Sequence, residues 1–100
     1  MIFNSPTVQK YILSGARIVA TIRTKGYYKV GKRVIVKVGD KRFSGRVVAT
    51  KPLDLFTLNQ YIGYSGFGSV SEWLAEARRL HKATIDPYRF EIVVVELTRA

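Results

Sequence analysis

The segment Phe90–Leu97 constrains the fold more than any other. Within it Ile92, Val93, Val94 and Val95 follow one another without a polar break. Successive side chains of an extended strand point to opposite faces, so this run has no polar face to turn to water. It predicts a strand buried on both faces. Such a strand needs material on both sides. The chain has 100 residues, 47% of them hydrophobic and 24% charged, which suits one soluble domain over 1–100 with a single core.

A second segment alternates instead. Arg33–Val38 and Arg42–Thr50 flank Gly39-Asp40, a two-residue turn with glycine first, as a type II′ hairpin prefers. That turn pairs Val38 with Lys41, Lys37 with Arg42, Val36 with Phe43, Ile35 with Ser44, Val34 with Gly45 and Arg33 with Arg46. Directly opposed residues share a face. One face then carries Val34, Val36, Val38, Phe43, Gly45 and Val47. The other carries Arg33, Ile35, Lys37, Arg42, Ser44 and Arg46. Four cations on one sheet face repel one another, and a bound polyanion would relieve that repulsion.

The remaining elements are shorter. Met1–Asn4 reads as a first strand. Ser5-Pro6 starts a helix, with serine as N-cap and proline in the first turn. Val8, Tyr11 and Ile12 give it an apolar side, and Gly15 closes it. Arg17–Arg23 reads as a β-branched strand and Thr24–Gly31 as a loop. Leu53–Phe56 reads as a strand and 57–68 as irregular. Ser69 and Glu72 form a capping box opening the helix Val70–His81. Its apolar stripe is Val70, Trp73, Leu74, Ala77 and Leu80, so Trp73 is expected in the core. His81 reads as a helix-end cation or plain surface residue. The expected fold is α+β: a mixed, barrel-like sheet of about five or six strands with two helices.

The chain has no cysteine and one histidine, so no disulfide, thiolate chemistry, metal site or other cofactor is expected. No apolar run approaches the length of a membrane span, and the first residues do not read as a secretory signal. A cytoplasmic location is the expectation. Net charge is +10, and its distribution is informative. Residues 1–51 carry 12 Lys or Arg and one acid, whereas 52–100 carry five bases and six acids. A basic excess confined to one half predicts a polyanionic partner, nucleic acid first.

Arg23, Lys25, Tyr27, Tyr28, Lys29 and Lys32 interleave cations with aromatic rings. Single-stranded nucleic acid is held by such sets, cations on phosphates and rings on bases. Neighbours in an extended loop point opposite ways, so one of Tyr27 and Tyr28 is expected to be exposed and the other to anchor the loop. With the hairpin cations Arg33, Lys37, Arg42 and Arg46, these residues are the candidate contacts. The glycine-rich segment Gly63–Gly68 lacks the Gly-Lys-Ser/Thr ending of a phosphate-binding loop.

Two segments resemble the ASCH domain family, a branch of the PUA-like β-barrel superfamily. Tyr11–Arg23 resembles its helix end, Ser-Gly pair and strand with a terminal arginine. Gly66–Leu74 resembles its Gly-Phe-x-Ser approach to the second helix. Val30–Val34 is similar to its Gly-Asp-x-Val strand start, with Lys32 in place of aspartate. The resemblance implies a PUA-like barrel that binds RNA, tRNA or rRNA among others, in a cleft beside Arg17, Thr21 and Arg23. Some relatives of that family remove the acetyl group of N4-acetylcytidine with a Thr, a Lys and a Glu. Aligned on Arg23, Thr21 takes the Thr position and is the candidate catalytic residue. The Lys position falls on Ile18, and the Glu position falls near Ser65 or Gly66. Arg17 cannot replace the lysine as a base, because a guanidinium stays protonated. The expectation is therefore an RNA-binding domain rather than an enzyme. An amidohydrolase or ribonuclease acting through Thr21 is the alternative, and a general DNA-binding protein a further one.

Overall fold

The computed structural model describes residues 1–98. The elements run β1 (Ile2–Phe3), α1 (Pro6–Leu13), β2 (Ile18–Thr24), β3 (Arg33–Val38), β4 (Lys41–Pro52), α2 (Leu55–Tyr61), α3 (Val70–His81) and β5 (Phe90–Leu97), with one 3-10 turn at Ile62–Tyr64 after α2. The five strands form one mixed sheet in the order β1-β3-β4-β5-β2; β1 is parallel to β3 and the other pairs are antiparallel.

The hairpin has the register that period-two alternation dictates. Arg33 faces Arg46, Lys37 faces Arg42 and Val38 faces Lys41. Gly39 has φ +61°, the left-handed conformation that the first position of a type II′ turn requires. Val34, Val36, Val38 and Val47 are buried, while Arg33, Ile35, Arg42, Ser44 and Arg46 stay exposed.

The continuous apolar run of β5 is explained by two cores. Val93, Val95 and Leu97 point into the curl of the sheet, against Val34, Val36, Val38, Val47 and the α1 residues Val8 and Ile12. Phe90, Ile92 and Val94 point the other way, against Leu58 of α2 and Trp73 and Ala77 of α3. A bulge between Val47 and Ala49 lets β4 serve both cores. An extra residue inverts the facing of everything after it, so Val47 joins the first core and Ala49 the second. α2 and α3 cover the outer face of the β5–β2 half. The outer face of the β3–β4 half carries no helix.

The structure corrects two expectations. Leu53–Phe56 is not a strand: Leu53 is buried, and the Asp54 side chain accepts a hydrogen bond from the Thr57 amide at 2.8 Å, capping α2. The helices therefore number three among the described residues. The mixed, barrel-like sheet expected from the sequence is present: its five strands curl into a half-barrel whose two edges, β1 and β2, do not pair. The second correction concerns α3. Its Trp73 and Ala77 are buried as expected and the Ser69 hydroxyl caps Glu72, but Leu80, assigned to the apolar stripe, is 40% exposed. No helix among the described residues is long and apolar enough to cross a membrane.

One glycine is fixed by contact. A Cβ on Gly45 would lie 2.9 Å from Val95 Cγ1 and 3.1 Å from the Glu96 carbonyl oxygen. Gly45→Val should therefore push β4 off β5 and cost about 2–3 kcal/mol, an overpacking effect. Urea unfolding checks this.

Candidate nucleic-acid interface

The bare half of the sheet is built by the hairpin. A two-residue turn makes its closing pair, Val38 and Lys41, hydrogen-bonded. The pairs Lys37/Arg42, Ile35/Ser44 and Arg33/Arg46 then fall at the non-hydrogen-bonded positions, where opposed Cα atoms approach to about 4.5 Å. Each cation pair is thus as close as a sheet allows. Lys37 is half-buried and the other three are exposed. Among the described residues the ion pairs are Glu76 with Arg79 and Asp86 with Arg89, both away from this face. Arg33, Ile35, Ser44, Arg46 and Thr98 line an open groove of about 470 Å³. Glu96 stands opposite Arg46 on β5, but the Arg46 guanidinium turns towards β3, donating at 3.4 Å to the Gly31 carbonyl.

The loop preceding the hairpin adds aromatic surface. Tyr27 is 67% exposed, whereas Tyr28 is half-buried against the first core. The two rings meet edge to face at 4.9 Å, and Lys32 Nζ lies 5.8 Å from the Tyr27 ring centre. Lys25, Lys29 and Lys32 are exposed around them. The loop is pinned from below. The Gly26 amide donates to the Glu91 carboxylate at 2.9 Å, Lys25 N to Arg89 O at 2.8 Å, and Gly31 N to Val47 O at 2.7 Å. Glu91 is only 8% exposed. Its position between Phe90 and Ile92 in β5 was the available signal, since a carboxylate in a strand buried on both faces needs a partner. Glu91→Leu should raise the hydrogen-exchange rate of the Gly26 amide by roughly ten- to a hundredfold, the loss of one hydrogen bond to a charged group.

Thr21 and Arg23 lie elsewhere, at the seam between the two sheet edges. Arg23 Nε donates to Thr21 Oγ1 at 3.1 Å, its Nη2 donates to the Ile2 carbonyl at 3.0 Å, and its guanidinium sits 4.7 Å from the Phe3 ring centre. Burial lowers the Arg23 pKa from its ordinary value, and the neighbouring Tyr28 phenol works in the opposite direction; the group keeps its charge at neutral pH. A cavity of about 170 Å³ opens there, with Thr21, Arg23, Trp73, Glu76 and His81 among its lining residues.

Glu76 and His81 were not expected in a site. Glu76 accepts from the Ser5 hydroxyl at 3.0 Å and pairs with Arg79. The Arg79 hydrogen bond, chiefly, holds its carboxyl below the usual range against a desolvation that would raise it. Three residues after Trp73 on α3, Glu76 falls on the same helix side, and that spacing was the available signal. His81 is not a plain surface residue. It is half-buried, its Nε2 is 3.1 Å from the Ile22 carbonyl, and its ring packs 4.9 Å from Phe90. Arg17 is exposed at the other end of β2, where its carbonyl accepts from Leu97 N. The cavity lining therefore unites Thr21 and Arg23 but includes neither Arg17 nor the tyrosine loop.

A curated protein, Uncharacterized protein 105 of Sulfolobus islandicus rod-shaped virus 1, is 56% identical to this chain over 95 residues, 95% of this chain and 90% of that protein. The chain belongs to the family of that viral protein. No family model matches the chain. No solved structure matches it. Because the match spans 95% of the chain, the comparison takes in nearly the whole of the fold.

Proposed function

We propose that this member of the protein 105 family is an RNA-binding domain of PUA-like, ASCH-type architecture. One observation carries the reading: a sheet face that no helix covers, bearing Arg33, Lys37, Arg42 and Arg46 without an acidic ion-pair partner among the described residues. The tyrosine loop supports it, because Tyr27 offers a ring for stacking beside three exposed lysines. Phosphates would lie on the hairpin and loop cations, and a base on Tyr27. Neutralising about five phosphates gives a slope of roughly −3.5 for log affinity against log salt on a single strand. Anisotropy titrations of a labelled RNA at several salt concentrations measure it, and a slope near zero refutes the reading. Duplex DNA competing as well as RNA at physiological salt refutes the preference for RNA.

Hydrolysis at Thr21 is the second reading, and it draws on the cavity that places Glu76 and His81 along one lining with Thr21. The chemistry weighs against it. A threonine nucleophile needs a neighbour to take its proton; Thr21 Oγ1 already accepts from an arginine, and Glu76 is held as a weak base by Arg79 and Ser5. Incubation with N4-acetylcytidine should leave the substrate intact. Turnover that disappears in Thr21→Ala would establish the enzyme instead.

A further inference from the structure

The spacing of the hairpin cations carries more than a general basic surface does. Arg33 and Lys37 are four residues apart on β3, as are Arg42 and Arg46 on β4, and the register sets each directly across from a partner. At about 3.3 Å per residue the two cation pairs stand roughly 13 Å apart. Between them lies one pair without charge, Ile35 and Ser44, both exposed. A nucleotide has six backbone bonds where an amino-acid residue has three, so its extended reach is about twice that of a residue, roughly 7 Å. Four strand residues therefore match two nucleotides.

We propose that the outer face of the hairpin is a two-jawed phosphate clip that grips alternate phosphates of a single strand running along the β3–β4 axis. Arg33 and Arg46 form one jaw and share one phosphate. Lys37 and Arg42 form the other and share the phosphate two nucleotides on. The phosphate between them lies over Ile35 and Ser44, within the reach of the Ser44 hydroxyl. The close approach of opposed side chains at non-hydrogen-bonded positions is what allows two cations to reach one anion. Glu96 flanks the first jaw and disfavours a phosphate on the β5 side of Arg46, which keeps the strand centred on the hairpin. The polymer's identity rests on the RNA reading; the clip itself rests on register and spacing.

Two consequences separate a clip from a diffuse basic surface. In the free protein each jaw is a pair of like charges, which destabilises a sheet by a few tenths of a kcal/mol. Removing one member should raise the melting temperature while weakening binding. Cations sharing a phosphate should also lose binding less than multiplicatively, because residues that act on one partner are coupled. The test is the affinity of a labelled uridylate dodecamer for the wild type, R33Q, R46Q, R42Q, R33Q/R46Q, R33Q/R42Q and the turn control K41Q, with thermal melts of each free protein. Each jaw variant should lose about fivefold at one-tenth molar salt and melt about 1–4 °C higher. R33Q/R42Q, spanning two jaws, should lose about the product of its single losses, roughly twenty-five-fold, and R33Q/R46Q clearly less. Equal losses for K41Q and R33Q, or multiplicative loss in R33Q/R46Q, would overturn the clip while leaving RNA binding standing. If the wild type does not hold the dodecamer, the RNA reading fails, and inorganic phosphate decides the clip. Phosphate should then raise the wild-type melting temperature over chloride at equal ionic strength, and by clearly less in R33Q/R46Q, which keeps one jaw; no difference between the two proteins overturns it.

Discussion

Replacing Arg23 by alanine will lower the free energy of unfolding by about 3 kcal/mol, since it removes two hydrogen bonds from a charged donor together with a cation–π contact. In a chain of this size the melting temperature should fall by on the order of 15 °C. The reason lies in the topology. β1 is two residues long and β2 is the opposite edge of the sheet, so no backbone ladder holds the half-barrel shut. The Arg23 side chain spans that gap, bonded to Thr21 on its own strand and to the Ile2 carbonyl on the other edge. Lysine cannot reproduce a planar fork, so Arg23→Lys should recover less than half of the loss. A melting temperature within two or three degrees of wild type in Arg23→Ala would show that the seam is held by packing alone. Its effect on RNA affinity, measured well below the new melting temperature, should be small, because Arg23 lies at the seam rather than on the bare face.

The second large effect concerns binding. Changing Lys25, Lys29 and Lys32 together to glutamine should weaken RNA binding about a hundredfold at one-tenth molar salt and make the salt slope shallower by roughly two, the share of three phosphate contacts on a single strand. All three are exposed, and the hydrogen bonds that hold the loop come from backbone groups and Glu91, so the variant should melt no lower than wild type. Tyr27→Ala in the same loop should cost about 1–3 kcal/mol, the worth of one stacked base, without altering the salt slope. That contrast separates ring from charge. Anisotropy at several salt concentrations reads both variants, and an unchanged slope in the triple variant would remove the loop from the interface.

The legibility of this fold in its sequence varied with the physics of each part. The hairpin was readable to the register, because Gly39-Asp40 fixes the turn and strict alternation leaves a single way to bury Val34, Val36 and Val38. β5 was readable because four consecutive apolar residues admit no surface strand. α2 was not. Its seven residues are too few for a 3.6-residue period to show, and Leu55 and Phe56 are 68% and 79% exposed, so they suggested burial where there is none. The cation-bearing face could be derived from alternation, and the one-in, one-out arrangement of Tyr27 and Tyr28 from chain geometry. The seam could not. Arg23 resembles its basic neighbours in sequence, and only the meeting of two sheet edges separates a clasp from a phosphate contact. Glu76 and His81 enter the cavity lining for the same reason, through the docking of α3 across a chain separation of about seventy residues from Ser5.

The most direct test of the account is an amide chemical-shift titration of the isotopically labelled protein with a single-stranded RNA. The account predicts that shifts concentrate on the loop from Lys25 to Lys32 and on the outward-facing residues of β3 and β4, with α2 silent. Shifts confined to the cavity around Thr21, Trp73 and His81, or spread evenly over the surface, would contradict it.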